Sequence, residues 1–434
     1  MGRFARNMLG CAALLCEEAA SEVMMGISYG PTPVLLPAEA SQMPEDDFFC
    51  DEAAPMWSSS GGRGDLKLIK ALGANMVRLY GNDPRNSHEG FLQEADALGL
   101  QVAPGMSDWP FYQKTPGSCR DTDFDCYSQV KPLYMQNLAN GFLTPEDTYH
   151  KSLRVMNILN EPDLKMPPTA TNGGRDGPVK MARALISAFD AMLDAEKESN
   201  VTGPLINFTA TFSFAVCSAC DRFKHLPALG QMAQLDDAMR HPEAYGYTPK
   251  NDILEAYRTR WMHSFNTANP ASDLEHMFFG PYAETFPETP VYIGEYHSVN
   301  ARRSQKEDLD MVLGLARGSD LFVGISFFEF TVSYYKTGAE MDFGIFGYGG
   351  QQLASMPYFG KAFGVRCLTA ETHGAGVPLA MEVAAAFGGA LDTSLLCPTA
   401  LPPPAPGRTL AAEALAAEAD LSLAVAASGS PATA

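Results

Sequence analysis

Eight short apolar runs, with helix-patterned or loop segments between them, constrain this chain more than any other feature. They are MGISYG (residues 25 to 30), ANMVRLY (74 to 80), LQVAPG (100 to 105), RVMNILN (154 to 160), PLINFTAT (204 to 211), WMHSFN (261 to 266), PVYIGE (290 to 295) and LFVGISFFEF (321 to 330). Short, near-continuous apolar runs are what parallel strands buried on both faces require, and parallel strands need crossover helices. DLKLIKALG reads as such a helix, with Asp65 as its cap and Gly73 as its stop, and GPVKMARALISAFDAMLDAEKESN as another before the fifth run. Eight units of about 40 residues favour closure into a (β/α)8 TIM barrel with long βα loops at 106–150 and 212–260. The rival, an open doubly wound sheet, would carry a G-x-G-x-x-G after its first strand, and none is present.

Three regions follow. Residues 1–23 form an N-terminal segment with Arg3, Arg6 and the apolar MLGCAALLC, a weak secretory signal that Glu17 and Glu18 interrupt. Residues 24–366 are the expected barrel. Residues 367–434, rich in Ala and Pro, are expected to be a disordered tail with one weak helix at 409–419. Asn-x-Thr triplets at Asn200 and Asn207 agree with a secreted or cell-surface location, although Asn207 falls in an expected strand. No run of about 18 apolar residues exists, so no transmembrane segment is expected.

A net charge of −20 excludes nucleic acid and anionic membrane as natural partners, because both are bound through clustered Lys and Arg. A neutral ligand fits better. The nine cysteines are too sparse for a small disulfide scaffold and odd in number. Cys217-Ser-Ala-Cys220 lacks the second pair or His cluster of a zinc site, so it reads as packing or a disulfide; a redox role would require it to exchange with thiols. His88 and His297, near strand ends, can bind hydroxyls but lack partners as metal ligands. Neither a metal nor a cofactor is expected, and the sequence leaves the oligomeric state open.

Functional side chains of such a barrel sit where strands end, and two carboxyls fall there: Glu161 after the fourth run and Glu295 at the end of the seventh. A protonated carboxyl beside an ionised one supplies what retaining glycoside cleavage needs, a proton for the leaving oxygen and a nucleophile for the sugar carbon. Asn160 can hold a sugar hydroxyl, and Arg78 and Tyr80, ending the second run, can hold a carboxylate ionised. Trp109, Phe111 and Tyr112 after the third run, and Tyr334 and Tyr335 after the eighth, offer rings on which a pyranose stacks, with Trp109 as the candidate wall.

The Asn-Glu of the fourth run, the Glu of the seventh and the Arg of the second together resemble the clan A retaining glycoside hydrolases. Within that clan, LKLIKALGANMVRLYGNDPRNSHEGFLQEADALGLQV, VYIGEYHS and GISFFEFTVSYYKTGAEMDFGIFG are similar to segments of the family 72 β-1,3-glucanosyltransferases. The resemblance spans most of residues 24 to 350. It implies Glu161 as acid/base, Glu295 as nucleophile, Asn160 as partner of the sugar 2-hydroxyl, Arg78 as charge partner of the nucleophile, Tyr80 and Tyr296 lining the site, and Glu329 at the substrate or stabilising its loop. The implied substrate is a β-glucan polysaccharide or oligosaccharide, β-1,3-linked by preference. Two departures keep alternatives open. The Asn-Glu-Pro-Asp wording is nearer to cellulase-like and mannanase-like members of the clan. HSFNTANP supplies Asn266 and Asn269 but not the family's Tyr, which admits a non-catalytic glucan-binding barrel.

Overall fold

The computed structural model describes residues 22–299, 303–372 and 376–397. Each of the eight expected runs overlaps a strand: β1 (Met24–Ser28), β2 (Met76–Arg78), β3 (Gln101–Ala103), β4 (Val155–Asn160), β5 (Asn207–Phe212), β6 (His263–Thr267), β7 (Val291–Tyr296) and β8 (Phe322–Phe327). They pair in parallel in the order β3-β2-β1-β8-β7-β6-β5-β4. Backbone bonds from Val102 N to Ser152 O (2.7 Å), from Arg154 N to Val102 O (2.9 Å) and from Met106 N to Asn157 O (2.9 Å) join β3 to β4 and close the ring. Helices such as Asp65–Ala71, Glu89–Ala97, Tyr127–Asn137, Asp176–Glu198 and Gln305–Arg317 lie between successive strands and cover the outside.

Alternation along the strands divides the apolar side chains into two cores. Ile27 and Val77 face outward into the main core beneath the helices. Met24, Met76, Ala103, Val155, Met262 and Tyr292 fill the barrel itself, and most sit at or beside the first residue of a strand. Close packing inside explains two glycines. A Cβ on Gly26 would lie 2.5 Å from the Ser326 hydroxyl, and one on Gly294 would lie 2.6 Å from the Thr211 methyl. Further up the strands the interior turns polar, with Ser28, Arg78, Asn157, Thr211, Ser264 and Asn266 all buried.

Two local expectations are corrected. Gly64, with φ +78°, leads into the helix Asp65–Ala71, and the Asp65 carboxylate is taken up by Arg63 (2.7 Å) and the Tyr29 hydroxyl (2.9 Å) instead of capping. The barrel boundary after residue 366 falls inside a strand that the sequence reading missed. β9 (Phe346–Tyr358) and β10 (Lys361–Ala370) form an antiparallel hairpin whose two-residue turn, Phe359-Gly360, has positive φ at both positions. Such turns match the twist of the flanking strands, but Gly and Asn usually announce them, and here a Phe occupies the first position. A helix Leu379–Phe387 follows, its Leu379, Val383 and Phe387 four residues apart and buried, and Cys367 and Cys397 are joined as a disulfide. An Ala-rich segment thus holds its place by one apolar stripe and a covalent link. The expected helix at 409–419 and nearly all of the expected signal segment lie outside the described residues.

Cys119–Cys126 and Cys217–Cys220 are also disulfides, and Cys50 is buried and unpaired. Among the described residues no helix is long and apolar enough to cross a membrane, and no group of three or more His, Cys, Asp or Glu could hold a metal ion.

Candidate active site

The mouth is organised by a buried guanidinium. Arg78, the last residue of β2, has no exposed side-chain surface, so its donors must find acceptors inside the mouth, and both terminal nitrogens do while Nε has none. Nη1 donates to Glu295 Oε1 (2.8 Å), to Tyr80 Oη (2.9 Å) and to the Gly294 carbonyl (2.9 Å), and Nη2 donates to Asn160 Oδ1 (2.6 Å). One side chain therefore ties the ends of β2, β4 and β7 together. Tyr80 adds a second donor to Glu295 Oε1 at 3.0 Å, and its ring lies 4.7 Å from the guanidinium carbon. Burial pushes the Tyr80 phenol well above its usual range, so it donates as a neutral hydroxyl.

On the facing side, Asn266 of β6 donates from Nδ2 to Asn160 Oδ1 (3.2 Å) and to Glu161 Oε1 (3.1 Å). Arginine can only donate, so Asn160 must present its oxygen to Arg78. With that oxygen also taken by Asn266, the Nδ2 hydrogens are what Asn160 has to offer a ligand.

Glu161 owes its position to a sharp local turn. Its backbone is left-handed (φ 52°, ψ 50°), a conformation that costs a non-glycine residue roughly 1–2 kcal/mol. Pro162 disfavours the right-handed alternative for the residue before it, and a bond from Glu161 N to Thr211 O at 2.7 Å fixes the turn on β5. The following short helix, Pro162–Lys165, is pinned by Asp163, which accepts from Ser213 N (3.0 Å), Ser213 Oγ (2.5 Å) and Gln231 Nε2 (3.1 Å). Burial pushes the Glu161 carboxyl up to about 7 and Glu295 adds to this, while Lys165 and the Asn266 hydrogen bond oppose it.

A third carboxyl stands at the end of β8. Glu329 follows Phe328 through a cis peptide bond, is 5% exposed and accepts from Ser333 Oγ at 2.6 Å. Burial raises it to about 7, against Lys336 and Ser333, and Glu295 contributes in the same direction as burial.

The structure thus brings together Arg78, Tyr80, Asn160, Glu161, Asn266 and Glu295, with Glu329 acting on the same group through its charge. Tyr296 is elsewhere. Its hydroxyl donates to Asp308 on the outer helix Gln305–Arg317, because Glu295 faces inward and the next residue on a strand faces out. Trp109 is 56% exposed on the rim, in the short helix Trp109–Tyr112, while Phe111 beside it is buried in the core. His88 is walled in by Asp47 (2.9 Å) and the Phe49 ring, and Asn269 turns back onto Thr267, so neither reaches the mouth. His297 faces the Phe328 and Phe343 carbonyls behind β8. Tyr334 is stacked on Tyr348 of the hairpin.

Sequence reasoning missed Lys165 and Asp108, whose ammonium and carboxylate meet at 3.4 Å between the β4 and β3 loops. Lys165 was within reach, since it lies one helical turn after Glu161. Asp108 was visible only as the residue before Trp109, and nothing in the sequence relates the two loops.

No protein-family model matches the chain, and no curated protein is similar to it in sequence. Solved structures do resemble it. A Gas2 complex ("ScGas2 in complex with compound 8") matches with a TM-score of 0.48 at 14% identity over 86% of this chain and 66% of its own. Saccharomyces cerevisiae Gas2p in complex with laminaripentaose gives 0.45 at 16% identity over 89% and 67%. Bacteroides uniformis beta-glucuronidase 2, covalently bound to cyclophellitol-6-carboxylate aziridine, gives 0.45 at 13% identity over 74% and 33%. The chain spans about two thirds of Gas2 and one third of the glucuronidase. The likeness lies in the course of the backbone.

Proposed function

We propose that the protein is a retaining glycoside hydrolase or transglycosylase acting on a β-glucan, β-1,3-linked by preference, with Glu161 as acid/base and Glu295 as nucleophile. The observation that carries this reading is the asymmetry between the two carboxyls. Glu295 accepts from a buried guanidinium and a phenol through one oxygen, which leaves the other for attack on a sugar carbon. Glu161 sits where burial raises it to about 7, so near neutrality it can donate a proton to a leaving oxygen and afterwards take one back.

In the first half-reaction the Glu161 proton passes to the glycosidic oxygen as its bond to the anomeric carbon breaks. A Glu295 oxygen bonds to that carbon. In the second, the Glu161 carboxylate removes a proton from water or from a sugar hydroxyl whose oxygen displaces Glu295. The Asn160 Nδ2 is suited to the 2-hydroxyl, because Arg78 holds Asn160 and Glu295 at fixed separation. Exposed Trp109 offers a stacking face at the rim. The preference for β-1,3 linkage rests on the sequence resemblance, and the overall negative charge suits a neutral glycan.

The test is incubation with a reduced β-1,3-gluco-oligosaccharide of defined length, with products resolved by mass. Longer and shorter products together are expected of transfer, and shorter products alone of hydrolysis. No change on this substrate, on β-1,4-glucans or on mannans, with glucan binding retained, would overturn the enzyme in favour of a binding barrel.

A further inference from the structure

We propose that Asn200 is an N-glycosylation site, carrying one oligosaccharide at the end of the barrel opposite the mouth, and that Asn207 is not one, although both open an Asn-x-Thr triplet. The site owes nothing to the chemistry of the mouth.

Two triplets that are equivalent as sequence stand in opposite surroundings. Asn200 follows the helix Asp176–Glu198 and its C-cap Ser199, with left-handed backbone (φ 55°). Asn200 N donates to the Lys197 carbonyl (3.2 Å), Val201 N donates to the Glu196 carbonyl (3.0 Å), and the Val201 side chain packs against the main core. This is a Schellman ending, in which Asn can replace Gly at the left-handed position and an apolar residue after it anchors the turn. Backbone groups make these bonds, so the Asn200 amide is not spent on the turn. Asn200, Thr202, Gly203, Pro204 and Leu205 are all exposed. The Thr202 hydroxyl makes only long contacts, 3.4 Å to the Asp147 carbonyl and 3.5 Å to the Glu146 carbonyl. The acceptor amide and the hydroxyl that completes the motif therefore both stand in solvent, on a turn that the helix holds in place.

Asn207 begins β5, where it is in register with Val155 of β4. Phe208 faces the outer core, so Asn207 and Thr209 face the barrel interior, at the level filled by Val155 and Met262. Thr209 has no exposed surface. An oligosaccharide on Asn207 would have to displace that packing, and a chain so modified could not close its barrel.

The disulfides supply the compartment. Every described cysteine except Cys50 is paired, as Cys119–Cys126, Cys217–Cys220 and Cys367–Cys397. Such pairs form and persist where export machinery delivers a chain to oxidising surroundings. In the transfer, Asn200 Nδ2 bonds to the anomeric carbon of a lipid-pyrophosphate-linked oligosaccharide, gives up one proton and releases the lipid pyrophosphate. The turn joins an outer helix to the start of β5, away from the strand ends that carry Glu161 and Glu295. The oligosaccharide therefore leaves the mouth open to a long polymer.

The test is site occupancy in the full chain, produced with its own N-terminus in eukaryotic cells and recovered from the medium. Peptide N-glycosidase in heavy-oxygen water turns each occupied Asn into labelled Asp, which peptide mass spectrometry locates. Label is expected at Asn200 and none at Asn207. Thr202→Ala and Asn200→Gly should each lose the whole oligosaccharide in one step of intact mass, and Thr202→Ser should keep it. All three should still unfold cooperatively, since Thr202 is exposed and Gly suits the left-handed position. A secreted wild type with Asn200 bare overturns the proposal, as does label at Asn207 in the folded protein. Retention of the chain in the cytosol without an oligosaccharide overturns it too.

Discussion

The two ends of the same eight strands are built on opposite terms. At the strand starts, Met24, Met76, Val155 and Met262 close the barrel with side chains that need little from one another beyond shape. At the strand ends Arg78, Asn160, Asn266, Glu161 and Glu295 are joined by hydrogen bonds of 2.6 to 3.2 Å, and each depends on the others for its charge or orientation. A few residues of strand separate the two. Packing at one end fixes the frame, and the other end spends backbone strain and buried charge on a site that a purely apolar barrel would not hold.

The sharpest break in this comparison should come from Glu295→Gln. Turnover is expected to fall by at least ~10³-fold, since no nucleophile remains, while the protein still unfolds in one cooperative transition, because the glutamine oxygen can still accept from Arg78 and Tyr80. Calorimetry and product analysis on the same preparation check both halves. Arg78→Met should damage both properties, because it strips Glu295 and Asn160 of their common donor inside the barrel. Removing one partner of a buried pair costs about 3–5 kcal/mol, to be read by denaturant unfolding. Met76→Ala, at the other end, should cost about 2–4 kcal/mol of stability and leave kcat/KM within a few-fold of wild type. Loss of activity in the folded variant would show that the two ends are not independent.

Acidity gives a smaller effect. Glu161 and Glu329 are both raised to about 7 from an ordinary value of 4.5. A carboxyl raised in the folded state favours folding most where it is protonated in both states, and that contribution is lost as pH rises from about 4.5 through 7. The thermal midpoint of wild type should therefore fall between pH 5 and 8 relative to a Glu161→Gln/Glu329→Gln double variant. In turnover, the decline of kcat/KM above pH 7 should be absent from any residual activity of Glu161→Gln. The smallest change is expected from Trp109→Ala. KM should rise by roughly 3–10-fold, in line with losing one stacking ring, with no change in thermal midpoint because the ring is already in solvent.

Much of the barrel was legible because its strands are apolar runs bounded by helix patterns, and a closed parallel sheet is what such runs demand. The polar ends were legible where a charged or amide residue interrupted a run, as at Arg78, Asn160, Glu161 and Glu295. Tyr296 illustrates the limit. Adjacent aromatic and acidic residues at a strand end look equivalent in sequence, and only the inward orientation of Glu295 decides that Tyr296 belongs to the outer helix. The Asp108–Lys165 contact was hidden for a different reason, since it joins loops 57 residues apart that only the closed ring brings together. The hairpin was missed because glycine and alanine dilute its alternation, and its partners lie at the far end of the chain.

Those partners give the hairpin a consequence for biosynthesis. Tyr348 donates to the Thr32 carbonyl, Tyr358 to the Asp47 carbonyl, Phe359 N to Glu52, and Arg63 to the Arg366 carbonyl, across separations of 303 to 316 residues. The first loop therefore emerges from the ribosome long before the segment that anchors it. At ordinary elongation rates of about 5–20 residues per second, residues 32 to 63 wait roughly 15 to 60 s for their contacts. During that interval a chaperone or translocation machinery would meet β1 with one of its two strand neighbours still unmade.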